Sequence, residues 1–280
     1  MGGGMHFELP RSISGLSVVL PAYNEEKNLK KAIHNCMDVI PQVTSLPFEV
    51  VVVNDGSQDQ TKALLSAISA ANPVVRPVHH PQNMGYGQAV LTGICHTRHD
   101  LIFFTDADMQ FDLKDLQPFI PQMEKYDLVV GYRKNRQDPW HRLLFAYAWN
   151  KLMRVLFGLN VRDVDCAFKL FRRRVVAPID IISRGAMFSA EFLIRATNSG
   201  VKYCEIGVNH YPRRAGKATG GQIWVIYRAF KELNRFLWTS YIPERLSLGT
   251  LLPTKHSSKI LTPLPFVKGL SNIRSWFARP

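Results

Sequence analysis

Asp106-Ala107-Asp108-Met109-Gln110 follows at once on the short apolar run Ile102-Phe103-Phe104-Thr105. Such a run reads as a buried strand. In extended geometry alternate residues share a face, so Asp106, Asp108 and Gln110 would point together off its end. Two carboxylates and an amide oxygen suit a hard cation, Mg2+ or Mn2+, which completes its shell with phosphate oxygens and makes a nucleotide diphosphate the natural co-ligand. An Asp-x-Asp triplet also arises by chance on the order of once in a chain with this many aspartates, so the triplet alone does not separate a metal clamp from two ordinary carboxylates.

Three further stretches sit where an apolar run gives way to polar residues: Pro21-Ala22-Tyr23-Asn24-Glu25, Val53-Asn54-Asp55-Gly56-Ser57-Gln58-Asp59 and Asn83-Met84-Gly85-Tyr86-Gly87. A carboxylate at a strand end, as at Asp55, can accept from a base N–H; the same Asp-Gly-Ser is equally an ordinary turn, with Ser57 or Asp59 capping a helix. Glycines at 85 and 87 let backbone approach a phosphate, or simply turn the chain.

Around these stretches the elements alternate. Leu16 to Leu20 reads as a strand that breaks at Pro21, with Asn24 as N-cap of an amphipathic helix carrying Leu29, Ala32, Ile33 and Cys36. Phe48 to Val53 precedes a helix over Lys62 to Ala70, and Val74 to Val78 a helix through His96. Leu101 to Thr105 precedes a helix from Leu113, and Leu128 to Gly131 is the next strand. This alternation predicts an α/β fold, a parallel sheet flanked by helices with ligands outside the carboxyl ends of its strands. Further on, Pro139 to Phe157 reads as one long helix, followed by a mixed region to about Val208. From Gln222 to Trp238, Ile223, Ile226, Tyr227, Phe230, Leu233 and Leu237 share one helical face, with Arg228, Lys231 and Arg235 on another. That basic amphipathic helix, with its tryptophans, suits a membrane interface or docking on its own domain. Ser247 to Pro280 shows no periodicity.

With 280 residues and 46% hydrophobic composition the chain can bury a sizeable core, which excludes a disordered protein. The formal charge is +13, and from Lys202 onward only three Glu offset thirteen Lys and Arg. An anionic partner follows: nucleic acid, anionic lipid or a phosphorylated substrate. Cys36, Cys95, Cys166 and Cys204 form no Cys-x-x-Cys pair, which argues against a zinc site or disulfide framework and suits a reducing cytosol. The start carries no secretory pattern, and His6 stands where myristoylation requires Ser or Thr, so the first glycines read as a leader or tag scar. No apolar run approaches the roughly 20 residues that span a bilayer, and a chain that does not cross a membrane is expected.

The four stretches, in their order and spacing, resemble the family 2 glycosyltransferases. A second block, Gly131-Tyr132-Arg133, then Arg142 and Asn150, then Asp163-Val164-Asp165-Cys166-Ala167-Phe168-Lys169, is similar to the polyprenyl-phosphate glycosyltransferases, the dolichol-phosphate mannose synthase-like branch. The resemblance runs from about Leu16 to Thr219. It implies a GT-A catalytic domain over 14–219, an inverting hexose transfer from a GDP- or UDP-sugar, a divalent cation and a polyprenyl phosphate acceptor. Residues 220–280 would form a basic amphipathic tail, placing the enzyme peripherally on an anionic membrane surface at the cytoplasmic face, with no nucleic acid partner. By position, the resemblance places Pro21, Tyr23, Glu25, Val53 and Asp55 around the nucleoside. It puts Asp106, Ala107, Asp108 and Gln110 at the metal and diphosphate-sugar, Arg133 and Arg213 at phosphates, and Arg142 and Lys169 at the acceptor phosphate, with Asp163 organising the cluster or acting as a weak base. Departures are Tyr86 where many members have a basic residue, Ala146 for a frequent Ser, Asp165-Cys166-Ala167 for Thr-Ser-Gly, Lys169 for Arg and Ala218-Thr219 for Ser-Lys. Many relatives also carry C-terminal transmembrane helices. The rival readings are a transferase with a soluble acceptor and a nucleotide-sugar-binding module without turnover; an intact metal clamp speaks against the latter.

Overall fold

The apolar runs become strands whose residues are almost all buried, as expected where helices cover both faces of a parallel sheet. In the computed structural model, which describes residues 13–134, 136, 138–213 and 223–244, they are β1 (Leu16–Ala22), β2 (Phe48–Asn54), β3 (Val75–His79), β4 (Leu101–Thr105), β5 (Leu128–Lys134), β6 (Phe168–Arg172) and β7 (Tyr203–Asn209). The helices are α1 (Leu29–Val43), α2 (Thr61–Ala71), α3 (Tyr86–Cys95), α4 (Trp140–Phe157), α5 (Arg173–Val176), α6 (Phe188–Asn198) and α7 (Ile223–Phe236). The strands form one seven-stranded sheet, ordered β3-β2-β1-β4-β6-β5-β7.

Every neighbouring pair is parallel except those involving β6, which runs against both β4 and β5. Reversal of β6 matters to the site. It pairs Phe168, its first residue, with Thr105, the last of β4, so the loop carrying Asp163 and Asp165 enters the sheet at the edge where β1, β2, β4, β5 and β7 end. The strand order turns back between β1 and β4, the crevice where doubly wound sheets bind ligands. Phe103, Phe119 and Phe168 pack edge to face beneath that edge, with centroids 4.7 and 5.1 Å apart, giving the site a stiff floor.

Several expectations are corrected. β1 continues through Pro21 to Ala22: the β1–β4 ladder ends at Val19 and Phe104, so the missing N–H costs no bond on that side. Asn24 caps no helix; α1 begins after Asn28, and Asn24, at φ 55°, accepts from the Gln58 N–H at 2.9 Å while its own N–H donates to Ser57. The N-cap of α2 is Gln60; Asp59, one residue earlier, accepts from the Thr61 N–H at the head of the helix. The helix expected from Leu113 is only two 3-10 turns, Leu113–Leu116 and Ile120–Glu124, since Pro118 and Pro121 interrupt it.

The basic amphipathic helix, α7, docks and stays exposed at once. Leu233 and Phe236 are buried, and the Glu232 carboxylate accepts from the Gly185 and Met187 N–H groups at 2.8 and 3.2 Å. Tyr227 and Phe230, expected on its apolar face, are instead outward at 60% and 48% exposure, beside the exposed Trp224 and Trp238. The segment expected as a tail after Glu244 lies outside the described residues. Among the described residues no helix is long and apolar enough to cross a membrane.

Candidate active site

Asp106 and Asp108 come together through a turn, not an extended strand. β4 stops at Thr105, and Met109 adopts φ 63°, a conformation side chains seldom take, which is the kind of strain found at functional sites. The turn lets Asp108 Oδ1 accept the Gln110 N–H at 3.1 Å. Gln110 then spends its amide nitrogen on the Tyr211 carbonyl at 3.0 Å, and Tyr211 N–H donates back to the Gln110 carbonyl, so Gln110 Oε1 is the atom the residue can offer a cation. With the Phe111–His210 bridge this pairing fastens the segment after β7 to the turn and brings Arg213 to the carboxylates. Arg213 pairs with Glu25, and its Nη1 lies 3.8 Å from Asp108 Oδ2.

The charge balance of this half is unmet. Burial, and then the neighbouring Asp108, push the Asp106 carboxyl well above the usual carboxylate range. Burial also pushes Asp108 up, against the Gln110 hydrogen bond and Arg213. The Tyr86 phenol lies beside Asp106 and works against the rise there. Two crowded carboxylates that Arg213 neutralises only in part are what a divalent cation would satisfy, and the oxygen donor set of Asp106, Asp108 and Gln110 fits Mg2+ or Mn2+.

Asp55 is buried and already busy: Oδ1 lies 2.6 Å from His80 Nδ1 and accepts the Met84 N–H at 2.8 Å, and Oδ2 accepts the Gly85 N–H at 3.0 Å. It therefore shapes the Asn83–Gly87 loop whatever base it meets. Gly85, at φ 99°, and Gly87 are demanded by packing, since a Cβ at either would come within 3 Å of the Arg184 or Ser183 carbonyl. Tyr23 is exposed at the cleft edge, whereas Pro21, Val53 and Ala107 have buried side chains and frame the site with backbone.

On the other side of the cleft lies a guanidinium cluster. Arg133, near the end of β5, forks onto Asp163 with Nε to Oδ2 and Nη2 to Oδ1 both at 2.7 Å, and its backbone N–H adds a third bond at 3.2 Å. Burial raises the Asp163 carboxyl, but these bonds and the Arg133 charge outweigh it and hold the group below the usual range. A carboxylate so engaged is an organiser and a poor base. Asn150 of α4 braces the same loop, accepting from the Val164 N–H and donating to the Arg162 carbonyl. Arg142, in the first turn of α4, pairs with Asp138 at 2.9 Å. His210 is driven down to about 4 by burial and by Arg133, so it is neutral near pH 7.

Lys169 corrects an expectation. It is fully buried in β6 with its ammonium donating to the Val164 and Cys166 carbonyls, beneath the loop that carries Asp163. It holds that loop from below and is closed to solvent. Arg136 also pairs with Asp138, at 2.9 Å; sequence alone singles out neither, because a lone Arg or Asp in a polar connection carries no signal.

The chain belongs to glycosyl transferase family 2, whose family model matches residues 17–179. Among similar curated proteins are an undecaprenyl-phosphate 4-deoxy-4-formamido-L-arabinose transferase of Enterobacter sp. (strain 638), 30% identical over 74% of this chain and 63% of the relative, and the polyprenol monophosphomannose synthase of Mycolicibacterium smegmatis, 29% identical over 74% and 82%. This chain thus spans less than two thirds of the first of these. Among solved structures it shares its fold, GT-A, with glucosyl-3-phosphoglycerate synthase from Mycobacterium tuberculosis in complex with Mn2+, UDP and glucosyl-3-phosphoglycerate, at a TM-score of 0.57, 20% identity and 73% coverage of each chain.

Proposed function

We propose that the protein is a metal-dependent, inverting glycosyltransferase that moves a hexose from a nucleotide diphosphate sugar to a polyprenyl phosphate at the cytoplasmic face of a membrane. One juxtaposition carries the reading: a pair of crowded carboxylates at the end of β4 shares the cleft with a guanidinium cluster in which Asp163 and Asp138 are spent on ion pairs. The names of the curated relatives, which act on undecaprenyl phosphate or make polyprenol monophosphomannose, point to the same acceptor class.

Asp106, Asp108 and Gln110 would hold Mg2+ or Mn2+, which when bound supplies counter-charge for the departing nucleotide diphosphate. The rest falls to the side chains. An alcohol acceptor would need a general base, whereas a phosphate monoester, with a second pKa near 6, is largely dianionic at pH 7 and needs only to be held in line with the anomeric carbon. Asp163, saturated by Arg133, cannot supply a base; Arg133 and Arg142 supply positioning and charge. A guanidinium fork matches phosphate oxygens and never deprotonates. The attacking phosphate oxygen forms the new C–O bond as the bond to the nucleotide diphosphate breaks, inverting the anomeric carbon.

The exposed Trp140, Leu144, Phe145 and Tyr147 of α4, with Trp224 and Tyr227 of α7, support a lipid-facing side, and Trp149 against Phe230 at 5.8 Å joins the two helices. The test is incubation with a panel of GDP- and UDP-sugars and undecaprenyl or dolichyl phosphate, scoring lipid-linked sugar. The free polyprenol should give none, and EDTA should abolish the product; full activity in EDTA, or equal use of the alcohol, would overturn the reading. A soluble phosphorylated acceptor is the second reading, favoured by the fold shared with glucosyl-3-phosphoglycerate synthase; a phosphoglycerate arm in the same assay separates the two.

A further inference from the structure

Between the end of β5 and the start of α4 the chain builds a second ion-pair device that the donor chemistry does not use. Asp138 lies with its side chain 6% exposed, and each of its oxygens takes one guanidinium: Oδ2 is 2.9 Å from both Nε and Nη2 of Arg136, and Oδ1 is 2.9 Å from Nη1 of Arg142. We propose that Arg136 is a phosphate-binding residue of the acceptor half, and that Asp138 is the positioning residue that holds it in register with Arg142. The proposal rests on the reading above that the acceptor is a phosphate.

Three observations carry it. First, the Arg136 side chain is only 15% exposed, and burying a guanidinium is costly unless its donors are used. Asp138 uses one edge of it, and no described residue takes Nη1. Second, the Arg136 end of the cluster is short of carboxylate. Asp163 is taken up by Arg133, so Asp138 alone serves both Arg136 and Arg142. A brace for the first turn of α4 would need Arg142 alone; the second, more buried arginine adds desolvation cost without another carboxylate. Third, Arg136 is on the same wall as Arg133, close enough for its charge to act on both Asp163 and His210.

A phosphate monoester dianion answers each point. It brings the missing negative charge, and its three terminal oxygens accept from two forks at once. Asp138 lies between two like charges that would otherwise repel each other, so it keeps their remaining N–H groups pointed at one place. It touches no substrate and acts through the arginines.

The test compares wild type, R136Q, R136K and D138N by calorimetric titration with farnesyl phosphate, with farnesol as control, and in parallel with UDP or GDP plus Mn2+. Thermal melts report folding. R136Q is expected to weaken farnesyl phosphate about 10- to 100-fold, the worth of a charged hydrogen bond or two, with nucleotide binding changed less than about twofold. R136K should recover part of the loss, since it restores charge without the fork. D138N should weaken farnesyl phosphate in wild type, and add less than its full effect in the R136Q background, because both act on one group. Wild-type affinity in R136Q, or a lower melting temperature in D138N with unchanged affinity, would overturn the proposal and leave the phosphate-acceptor reading standing. Failure of wild type itself to bind farnesyl phosphate more tightly than farnesol would overturn both.

Discussion

Asp163→Asn separates positioning from base catalysis, because the structure fixes what each would cost. The substitution keeps shape and removes charge. It leaves Arg133, with a side chain 13% exposed, beside a neutral amide that can accept at one atom where the carboxylate accepted three bonds. Removing one partner of a buried ion pair costs about 3–5 kcal/mol, and the retained amide oxygen puts this case near about 3 kcal/mol. At about 2–4 °C per kcal/mol for a chain of this order of size, the melting temperature should fall by roughly 6–12 °C. The sign with pH follows from a folded pKa held below the unfolded value. The stability from Asp163 is present above the unfolded pKa and is lost as pH falls through the folded one, so the gap between wild type and variant stays constant from pH 8 to 5 and closes in acid. With Arg133 loosened but present, kcat/KM for a lipid phosphate should drop about 10- to 100-fold, less than for Asp108→Asn. A variant with wild-type melting temperature, intact binding of donor and acceptor and no turnover would refute this, and a general base would have to be sought at Asp163.

Asp108→Asn should abolish turnover and Mn2+-dependent UDP or GDP binding while leaving the metal-free protein as stable as wild type or more so, because it relieves a crowded carboxylate pair; calorimetry and melts read both. Since the folded pKa of Asp106 is raised, metal-free wild type should gain stability as pH falls from 7 toward 4, and excess Mn2+ with UDP should flatten that slope. Tyr86→Phe, which removes the hydroxyl beside Asp106 and keeps the ring on Phe188, should weaken Mn2+ binding in the presence of nucleotide about 10-fold, measured by electron paramagnetic resonance. Arg142→Ala should raise KM for lipid phosphate with little change in donor affinity, whereas Arg213→Ala should weaken the donor. Flotation with anionic liposomes should recover the protein and lose it with rising salt; equal recovery on neutral lipid, or none on either, would favour a soluble acceptor.

What sequence could reach follows from the range of each signal. Strand and helix order is a local matter of apolar periodicity, and the alternation from Leu16 to Gly131 is recovered nearly intact, as is the helix to Phe157. The reversal of β6 is not local: Phe168 to Arg172 falls in the region that the sequence leaves mixed, and its direction shows only in its antiparallel pairing with β4 and β5. The same limit applies to charges. Arg133 and Asp163 could be placed at the site by their motifs, but that each consumes the other is a contact across thirty residues. Lys169 shows the opposite failure, since a lysine in an acceptor-side motif reads as a surface cation until the fold buries it under its own loop. Asp55 read as a base contact or a turn residue, and its bonds to Met84, Gly85 and His80 show the turn role built in.

Arg213 ties the donor half to the rest of the cleft. It bridges Glu25, which also accepts from Asn28, and Asp108, so one guanidinium partly serves two carboxylates on different elements. On the proposed function it would also hold the diphosphate, which it cannot do at full strength while it is the counter-ion of Asp108. The two demands are reconciled only when Asp108 gains another positive partner, so nucleotide and cation must bind with positive coupling, each improving the affinity of the other by the same factor. The coupling should shrink in Arg213→Ala, where Asp108 no longer competes with the diphosphate for one side chain. It should persist in Arg142→Ala, where the lost arginine pairs with Asp138 and makes no pair with Glu25 or Asp108.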